Sequence, residues 1–408
     1  MIPTAASPPP RLADRDAPGL DGDPAPSSQS TGLVPSPFLH HQPAAQRIYN
    51  PLTDRTLAAG EPGYDLVRRL LDGSDGSYGS NGSHGSERAG DLSPGGAEHW
   101  ARLASEGWLV ARGEDVSRRF LLKYVSLEAH TVCNQACYFC PVSIAPREDY
   151  FMPTDLYERI VGELGAYRDT IESVFMINYN EPTADRRFLD QVMTIKAAGL
   201  PPAVLTNGSG LTPERSDALV AMGGLRFLSI NLSTLDRERY RRDRGGDHLP
   251  LVLRNLDHAR DQPLAEQMDI VVLGTGDAEH RSDFAAIEQR FAGSRFTVKY
   301  FEVMDRAGYL EIGAKPAMPN ERLCGCDNVG SRPLQHIHIT PRGKCVLCCE
   351  DYDAKYVVGD LTRQSVHEVL GGPAIALMRR WVYGLEEAPR DFICRGCTFA
   401  LTRPTHPA

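Results

Sequence analysis

Several features that mark other classes of protein are missing from this chain of 408 residues. No apolar run approaches the roughly 20 residues of a membrane-spanning helix, and the N-terminus has no apolar signal segment. Positive charge is not in excess, and the net charge of -9 argues against binding to nucleic-acid phosphates. We therefore expect a cytoplasmic protein whose partners include neither a membrane nor a nucleic acid.

The chain also lacks the evenly spread cysteines of a disulfide-bonded secreted protein. Its ten cysteines fall into one group of three, from Cys133 to Cys140, and one group of seven, from Cys324 to Cys397. In a chain of this length without a signal segment, such clustering is typical of reduced thiols that bind metal. The length allows two or three domains, and 41% hydrophobic residues are enough for a sizeable core.

The first group has three thiols, Cys133, Cys137 and Cys140, spaced C-x3-C-x2-C after an apolar run that predicts a strand over 120–127. A [4Fe-4S] cluster held by three thiolates keeps one iron open for a substrate or cosubstrate. A structural zinc site is the alternative, but zinc sites usually combine two pairs of Cys or His ligands.

The eight residues from Cys133 to Cys140 resemble the signature of the radical SAM superfamily. The resemblance implies that S-adenosylmethionine (SAM) binds the open iron through its amino and carboxylate groups, and that Phe139 packs near the adenine. It also implies that SAM is cleaved to a 5'-deoxyadenosyl radical, which takes a hydrogen atom from a substrate C–H bond. A flavodoxin-type or ferredoxin-type protein would supply the electron.

Strands and helices alternate between residues 120 and 301, a pattern that predicts an α/β fold with a parallel, helix-covered sheet. We count six strands, which matches the partial (β/α)6 TIM-type barrel of the superfamily over 116–315. One helix after Pro153 should bury Leu156, Ile160, Val161 and Leu164. The next helix should bury Leu189, Val192 and Met193.

Polar residues at the strand ends are candidates for binding SAM, because chemistry in parallel barrels gathers at that edge. Glu181-Pro182 resembles the G-G-E-P motif of the family, with Tyr179 and Asn180 in place of the two glycines. The resemblance implies that the backbone and acid of this segment, Tyr179, Asn180 and Glu181, bind the SAM amino group. Glycine lets a backbone approach a ligand closely, so we expect Glu181 to carry the role. A surface turn is the alternative.

Further strand-end residues resemble positions that contact SAM in the family. They are Thr206, Asn207, Ser229, Asn231 and Ser233. Gly274, at the end of the fifth strand, lies in a glycine-bearing loop that is compatible with approach of the adenine or ribose. The alternative for the polar ones is helix capping. Glu302 and Arg306 follow the sixth strand and would either meet substrate or be solvated.

The second cysteine group has the order of the SPASM/twitch extension, which houses auxiliary Fe–S clusters, and we expect this small domain over 316–408. The resemblance implies one auxiliary [4Fe-4S] cluster, since no cysteine follows Cys397. Its expected ligands are Cys326, Cys348, Cys394 and Cys397, with Cys324 as a substitute for Cys326. A zinc ribbon built from the same pairs is the alternative.

Three thiols remain outside this set: Cys324, Cys345 and Cys349. Free cysteine is usually a small buried residue. One of them could instead return a hydrogen atom to a substrate radical, which would make the protein an epimerase.

The N-terminal part has two different compositions. Residues 1–46 are rich in Pro, Ala, Ser and Asp and are expected to be disordered. Residues 47–115 predict a small subdomain, interrupted by a disordered Gly/Ser insert over 73–96. Its order of elements resembles the winged-helix-like domain that recognises precursor peptides in peptide-modifying (RiPP) systems; a plain or decayed subdomain is the alternative.

Together these patterns favour an enzyme that cross-links or dehydrogenates a ribosomally made precursor peptide. A dehydrogenase or epimerase acting on an aminoglycoside-type or nucleoside-type small molecule is the second interpretation. The third is a non-enzymatic Fe–S or zinc protein with a redox or binding role, which would have no use for the strand-end residues.

Overall fold

The computed structural model describes residues 32–73, 94–313 and 321–403. The chain divides into two compact units, with the division between Val116 and Ser117. The strands in these ranges are β1 Leu33–Pro35, β2 His40–Gln42, β3 Arg47–Asn50, β4 Arg55–Ala58, β5 Leu109–Ala111, β6 Tyr124–Leu127, β7 Ser173–Phe175, β8 Pro202–Thr206, β9 Leu225–Asn231, β10 Ala265–Gly274, β11 Phe296–Glu302, β12 Arg322–Cys326, β13 His336–Ile339, β14 Lys344–Val346, β15 Val357–Asp360 and β16 Ala400–Arg403. The helices are α1 Tyr64–Gly73, α2 Pro94–Ser105, α3 Thr154–Leu164, α4 Phe188–Ala197, α5 Pro213–Ala221, α6 Arg237–Arg244, α7 Leu249–Ala259, α8 Ala278–Phe291, α9 Arg332–Gln335, α10 Val366–Leu370 and α11 Pro373–Val382.

The first unit is a small α+β fold. Strands β2, β3 and β4 form an antiparallel sheet, and β1 pairs with β5. Its core includes Ile48 from β3, Val67 from α1 and Leu103 from α2, all fully buried. The described residues thus form a folded subdomain; a peptide-recognition role for it remains a prediction.

The disorder expected for residues 1–46 does not extend to residue 46. Strands β1 and β2 lie within that range, and Phe38 between them is fully buried. The apolar pairs Leu33-Val34 and Phe38-Leu39 supply the packing that the polar composition around them conceals. Residues 1–31 lie outside the described residues, as do residues 74–93 of the expected Gly/Ser insert, and α2 already begins at Pro94.

The second unit is built on a nine-stranded sheet in the order β11-β10-β9-β8-β7-β6-β13-β14-β15. The six strands from β6 to β11 are all parallel and follow one another in chain order, with helices α3 to α8 between them. This arrangement confirms the predicted partial (β/α)6 barrel, because each crossover returns the chain to the same end of the sheet.

The first barrel strand is shorter than predicted, since it begins at Tyr124 rather than near residue 120. The backbone N–H groups of Leu121 and Lys123 donate to the carbonyls of Leu334 and Gln335 instead. The segment before β6 is therefore extended chain bound to the C-terminal region.

The C-terminal region also joins the barrel sheet. Strand β13 pairs in parallel with β6, and β14 and β15 continue the sheet in antiparallel fashion. Strands β12 and β16 form a separate two-stranded sheet. The expected boundary near residue 316 therefore does not separate two sheets, because three C-terminal strands cover the open edge of the barrel.

The helix faces were predicted with mixed success. Helix α3 buries Ile160, Val161 and Leu164, as expected. The prediction for α4 was wrong in part, because Met193 is 53% exposed. That helix begins at Phe188, whose ring takes the buried face together with Ile195 seven residues later, so the face is rotated away from Met193.

Candidate active site

The three-thiol loop, 133–140, follows β6 and is fixed by backbone hydrogen bonds. The N–H groups of Ala136 and Tyr138 donate to the carbonyls of Arg244 and Asp243 at 2.9 and 3.1 Å. The chain then turns through Gly245 at φ 69°, where a Cβ atom would lie 3.1 Å from the Ala136 side chain. The end of α6 therefore holds the loop in one conformation.

Each thiol of this loop faces a hydrogen-bond donor. Backbone N–H groups of Gln135 and Val142 approach the sulfurs of Cys133 and Cys140. Burial, with smaller contributions from Glu181 and the neighbouring thiols, raises the pKa of the Cys133 thiol to about 12. Thiols in this setting lose their protons only when a cation replaces those protons. The three-thiol loop therefore fits the iron of a cluster.

Arg244 is a site residue that the sequence did not reveal. Its side chain is 2% exposed, and its Nη1 atom lies 3.9 Å from the Cys137 sulfur. Its Nη2 atom donates to the Asn231 and Ser233 side chains at 2.6 and 2.8 Å. The guanidinium lies 5.1 Å from the ring centre of Phe139, and its Nε atom has no hydrogen-bond partner. A buried cation with a free donor beside the three-thiol loop suits an anionic ligand.

The sequence around Arg244 reads as a solvated basic helix, so no local signal separates it from the arginines beside it. The predicted residues Phe139, Asn231 and Ser233 all contact it, and the structure therefore brings these three together. Ser229 lies two residues before Asn231 on β9, and is buried.

Glu181 connects the ends of β7 and β8 through its carboxylate. Oε1 accepts hydrogen bonds from the Thr183 N–H, the Thr183 hydroxyl and the Thr206 hydroxyl at 3.1, 2.6 and 2.6 Å. Oε2 accepts one from the Asn207 N–H at 2.7 Å. Burial raises the pKa of this carboxyl, and the hydrogen bonds oppose that shift. Oε2 keeps room for one further donor.

Asn207 extends this network to the three-thiol loop. Its Nδ2 atom donates to Asn134 Oδ1 at 2.8 Å, and Asn134 in turn donates to the Ser209 hydroxyl at 2.8 Å. The predicted residues Glu181, Thr206 and Asn207 therefore form one connected group with the loop. Asn134 and Ser209 were missed, although Asn134 lies inside the cysteine motif.

The two residues that replace the motif glycines serve different contacts. The Asn180 amide lies 3.4 Å from a His130 ring nitrogen and from the Met176 carbonyl, so it is used within the barrel. Tyr179 reaches out to the C-terminal region, where its hydroxyl donates to the Cys349 carbonyl. The cations of Arg147 and Arg306 lie 5.9 and 6.0 Å from its ring centre. Binding of SAM by either residue remains a prediction.

Space over the two loop glycines after β10 is filled by protein. A Cβ atom at Gly274 would lie 2.6 Å from the His280 ring, and one at Gly276 would lie 2.8 Å from the Glu302 carboxylate. The absence of a side chain at Gly274 is explained by His280, without a ligand. Arg306 forms an ion pair with Glu350 at 3.2 Å and is not a simple solvated charge.

The four expected auxiliary ligands line one cavity together. These are Cys326, Cys348, Cys394 and Cys397. The Phe399 N–H lies 3.5 Å from the Cys397 sulfur, and backbone N–H groups of Asn328 and Arg332 approach Cys326. N–H groups directed at sulfur suit thiolate ligands of a cluster.

The three surplus thiols lie in different settings. Cys345 is fully buried in β14 and does not line the cavity. Cys324 lies on β12, and it is likewise absent from the lining. The Cys349 sulfur lies 3.6 Å from Glu350 Oε1, close to Arg306. Of these three residues, Cys349 contacts Tyr179, because its backbone carbonyl accepts the hydrogen bond from the Tyr179 hydroxyl.

Two absences are recorded for the described ranges. No group of three or more His, Cys, Asp or Glu side chains within them has the arrangement for a single metal ion. No helix within them is both long and apolar enough to cross a membrane.

Two family models match the chain. The model of the radical SAM superfamily matches residues 127–288, and that of the SPASM iron-sulfur cluster-binding domain matches residues 326–398. The first match contains the three-thiol loop, and the second contains all four cysteines of the auxiliary cavity.

Two curated proteins are similar in sequence. The S-adenosyl-L-methionine-dependent 2-deoxy-scyllo-inosamine dehydrogenase of Niallia circulans is 27% identical over 287 residues, which is 68% of this chain and 93% of that protein. The tungsten-containing aldehyde ferredoxin oxidoreductase cofactor-modifying protein of Pyrococcus furiosus is 29% identical over 102 residues, which is 25% of this chain and 28% of that protein.

Among solved structures, Streptococcus suis SuiB bound to its precursor peptide SuiA is similar in fold. It has a TM-score of 0.50 and 13% identity, and the match covers 85% of this chain and 90% of SuiB. The matched 85% of this chain is more than the second unit contains, so the match extends into the first unit.

Proposed function

We propose, because this chain belongs to the radical SAM superfamily and carries a C-terminal SPASM iron–sulfur domain, that it removes two hydrogens from a ribosomally made precursor peptide. These two domains imply SAM, a [4Fe-4S] cluster and auxiliary iron–sulfur clusters. The observation that carries the oxidative part is the pairing of a three-thiol loop with a four-thiol cavity in one unit. The first leaves a coordination position open, and the second fills all four.

The chain's own residues would hold SAM in the following way. Cys133, Cys137 and Cys140 would hold the cluster, which together with SAM would supply the radical that takes the substrate hydrogen. Arg244 offers its buried cation to the SAM carboxylate. Glu181 Oε2 accepts from the amino group and thereby fixes it near the loop.

The proposed oxidation balances in electrons and protons. One electron from a flavodoxin-type or ferredoxin-type donor accompanies cleavage of the C–S bond of SAM, giving methionine and 5'-deoxyadenosine once a substrate hydrogen atom has been taken. The substrate would then give up one proton to solvent or a base and one electron, for which a cluster held by the four thiols of the cavity would be the acceptor. The substrate has thus lost two hydrogens, and the returned electron leaves through the same class of carrier.

Tyr179 is well placed between the two cysteine sites for this transfer. Its hydroxyl binds the Cys349 carbonyl, next in sequence to the cavity residue Cys348, while its backbone N–H donates to Glu128 in the barrel at 2.9 Å. The residue that replaces a family glycine therefore connects the barrel mouth with the auxiliary region.

A peptide substrate is supported by the folded first unit. Its antiparallel sheet and two helices add to the barrel a subdomain of the kind expected for peptide recognition, and the fold match to SuiB, solved with a precursor peptide, reaches into this unit. A three-stranded sheet with open edges can accept an extended peptide by strand addition.

A small-molecule substrate is the second candidate, and the dehydrogenase of Niallia circulans favours it. The match covers 93% of that relative's length but only 68% of this chain, which is less than the second unit contains. The relative therefore does not require the first unit. The reaction would again be loss of two hydrogens, here from a polyhydroxylated amine.

The test is anaerobic coexpression with short reading frames from the same gene neighbourhood, followed by mass spectrometry of each peptide. We expect one peptide to lose two hydrogens with the wild type and none with the Cys394→Ala variant. If no neighbouring peptide changes, while a purified aminocyclitol loses two hydrogens on reaction with enzyme, SAM and reductant, the peptide assignment is wrong and the second candidate holds.

A further inference from the structure

A buried guanidinium in the wall of the auxiliary cavity has no acidic partner. Arg332 is 4% exposed and lines the cavity beside Cys326 and Cys348. Its Nη1 atom lies 3.5 Å from one ring nitrogen each of His336 and His338, and its Nε atom has no hydrogen-bond partner. Within 32–73, 94–313 and 321–403, no carboxylate lies within 4.0 Å of this guanidinium.

The histidines below Arg332 do not offset its charge. Their rings stack at 4.0 Å, and His336 Nε2 lies 2.9 Å from the Ser126 hydroxyl in the barrel. Burial lowers the pKa of both histidines well below 6.5, so both are neutral at pH 7. Arg332 and the two histidines together therefore carry one net positive charge.

The acidic residue that shares the cavity wall is used elsewhere. Glu350 Oε1 pairs with Arg306 at 3.2 Å, and this ion pair is nearly neutral as a whole. Electrostatic attraction nevertheless links Arg332 to Cys349, Cys348, Glu350 and Cys326, in decreasing order.

Arg379 in the same unit is held by several carbonyls, although its Nη2 atom also lacks a hydrogen-bond partner. It is fully buried, and its guanidinium donates to the carbonyls of Pro333, Ser117 and Leu370 at 2.8, 3.0 and 2.9 Å. Arg332 has no such set of carbonyls. A buried cation with neither a close ion pair nor a set of carbonyls is unfavourable, so the position of Arg332 suits an anionic occupant of the cavity.

Four thiolates around an iron–sulfur core give such an occupant a net negative charge, and reduction adds one more. A fixed cation at the wall stabilises the reduced form more than the oxidised form, because attraction grows with the charge. We propose that Arg332 raises the reduction potential of the auxiliary cluster and thereby makes it an electron acceptor. This inference rests on the proposed oxidative function.

The test is a redox titration, followed by EPR, of the anaerobically reconstituted full chain in which Cys133, Cys137 and Cys140 are alanine. That background leaves the auxiliary signal alone. Arg332→Met removes the charge at similar volume, and Arg332→Lys is the matched control that keeps it. We expect Arg332→Met to shift the one-electron equilibrium at least tenfold toward the oxidised form, which is 59 mV lower in potential. Arg332→Lys should shift it by less than half of that.

An unchanged potential in Arg332→Met overturns the proposal, as do equal shifts in Met and Lys, which would indicate a structural role. If Arg332→Met does not retain the cluster, Glu350→Gln decides: loss of a negative charge at the same wall must raise the potential, and a potential that stays or falls overturns the proposal. The titration needs no substrate. Correct shifts in a protein that oxidises no substrate would therefore reject the proposed function alone, whereas oxidation without the shifts would reject the role of Arg332 alone.

Discussion

The two cysteine sites differ in how the fold assembles them. The three-thiol loop comes from eight consecutive residues and is held by the end of α6 through backbone hydrogen bonds. The auxiliary cavity takes its four thiols from β12, the turn after β14 and the segment before β16. The first site is therefore encoded locally, while the second exists only after β12, the turn after β14 and the segment before β16 have come together.

The two sites share one electrostatic feature. Each has a buried arginine whose Nε atom lacks a hydrogen-bond partner, Arg244 at the loop and Arg332 at the cavity. Around Arg244 the Nη2 atom donates to Asn231 and Ser233 and the Nη1 atom faces the Cys137 sulfur, whereas Arg332 has only ring nitrogens at 3.5 Å. We infer that the first cation is positioned for a ligand that comes and goes, and the second for a resident anion.

The largest expected effect separates the sites by their chemistry. Cys137→Ala removes one of three ligands, so SAM cleavage should fall to the level of the reaction without enzyme. The measurement is 5'-deoxyadenosine formed under reducing, anaerobic conditions. Cys345→Ala, at a buried thiol outside both sites, is the control and should retain cleavage. Normal 5'-deoxyadenosine formation by Cys137→Ala would contradict the assignment of the loop.

The corresponding change at the cavity should uncouple the reaction rather than abolish it. In Cys394→Ala we expect SAM cleavage within about tenfold of wild type, since the barrel site is intact. Substrate oxidation should be lost, because the electron acceptor is gone. The ratio of 5'-deoxyadenosine to oxidised product measures this uncoupling. A ratio equal to that of wild type would show that the cavity is not needed for oxidation.

A smaller effect is expected from the carboxylate that ties the strand ends to the loop. Glu181→Gln replaces charge-assisted hydrogen bonds worth about 1.5–3 kcal/mol each. We expect SAM to bind roughly ten- to a hundredfold more weakly in the holoenzyme. Thr206→Val is the matched change, because it keeps the carboxylate and removes only one hydrogen-bond donor to its Oε1 atom. This change should cost about 1 kcal/mol of SAM binding energy. Equal affinities of wild type and Glu181→Gln for SAM would show that this network does not position the ligand.

The smallest expected effect is the pH dependence of stability that two buried histidines near the auxiliary cavity should cause. His336 and His338 have pKa values well below 6.5 in the folded chain because they are buried. The unfolded chain therefore binds more protons below pH 6.5, and stability, complete above that pH, should fall as the pH drops. The slope is at most about 1.4 kcal/mol per pH unit for each histidine.

Urea unfolding of the second unit at pH 7.5 and 5.5 measures this slope. Other groups also titrate in this range, so the comparison is with His338→Gln, in which one histidine no longer contributes. We expect a shallower loss of stability on acidification in the variant. The same loss in both proteins would show that His338 is not the titrating group.

The sequence was sufficient for most of the barrel and for the position of both cysteine groups. Six alternating units can form a parallel sheet in few ways, and the three-thiol loop is a local motif. It was not sufficient for Arg244 and Arg332, because an arginine that the fold will bury beside a cysteine site looks like any other arginine in the sequence. The exposed position of Met193 and the early strands β1 and β2 also depend on packing between segments far apart in the chain.

The replaced glycines show a similar limit. The sequence indicated that Tyr179 and Asn180 depart from the family motif, and this suggested only that Glu181 must carry more of the role. The structure adds that the Tyr179 hydroxyl binds the Cys349 carbonyl. Such a contact joins two parts of the chain that no local pattern relates.

The most direct test of the division between the two sites is EPR of the reduced, reconstituted protein with and without SAM. We predict that SAM changes the spectrum of the wild type and of Cys394→Ala, because both keep the three-thiol loop with its open iron. The variant with alanine at Cys133, Cys137 and Cys140 should show an auxiliary signal that SAM leaves unchanged. A wild-type spectrum that does not respond to SAM, or an auxiliary signal that does, would contradict the account.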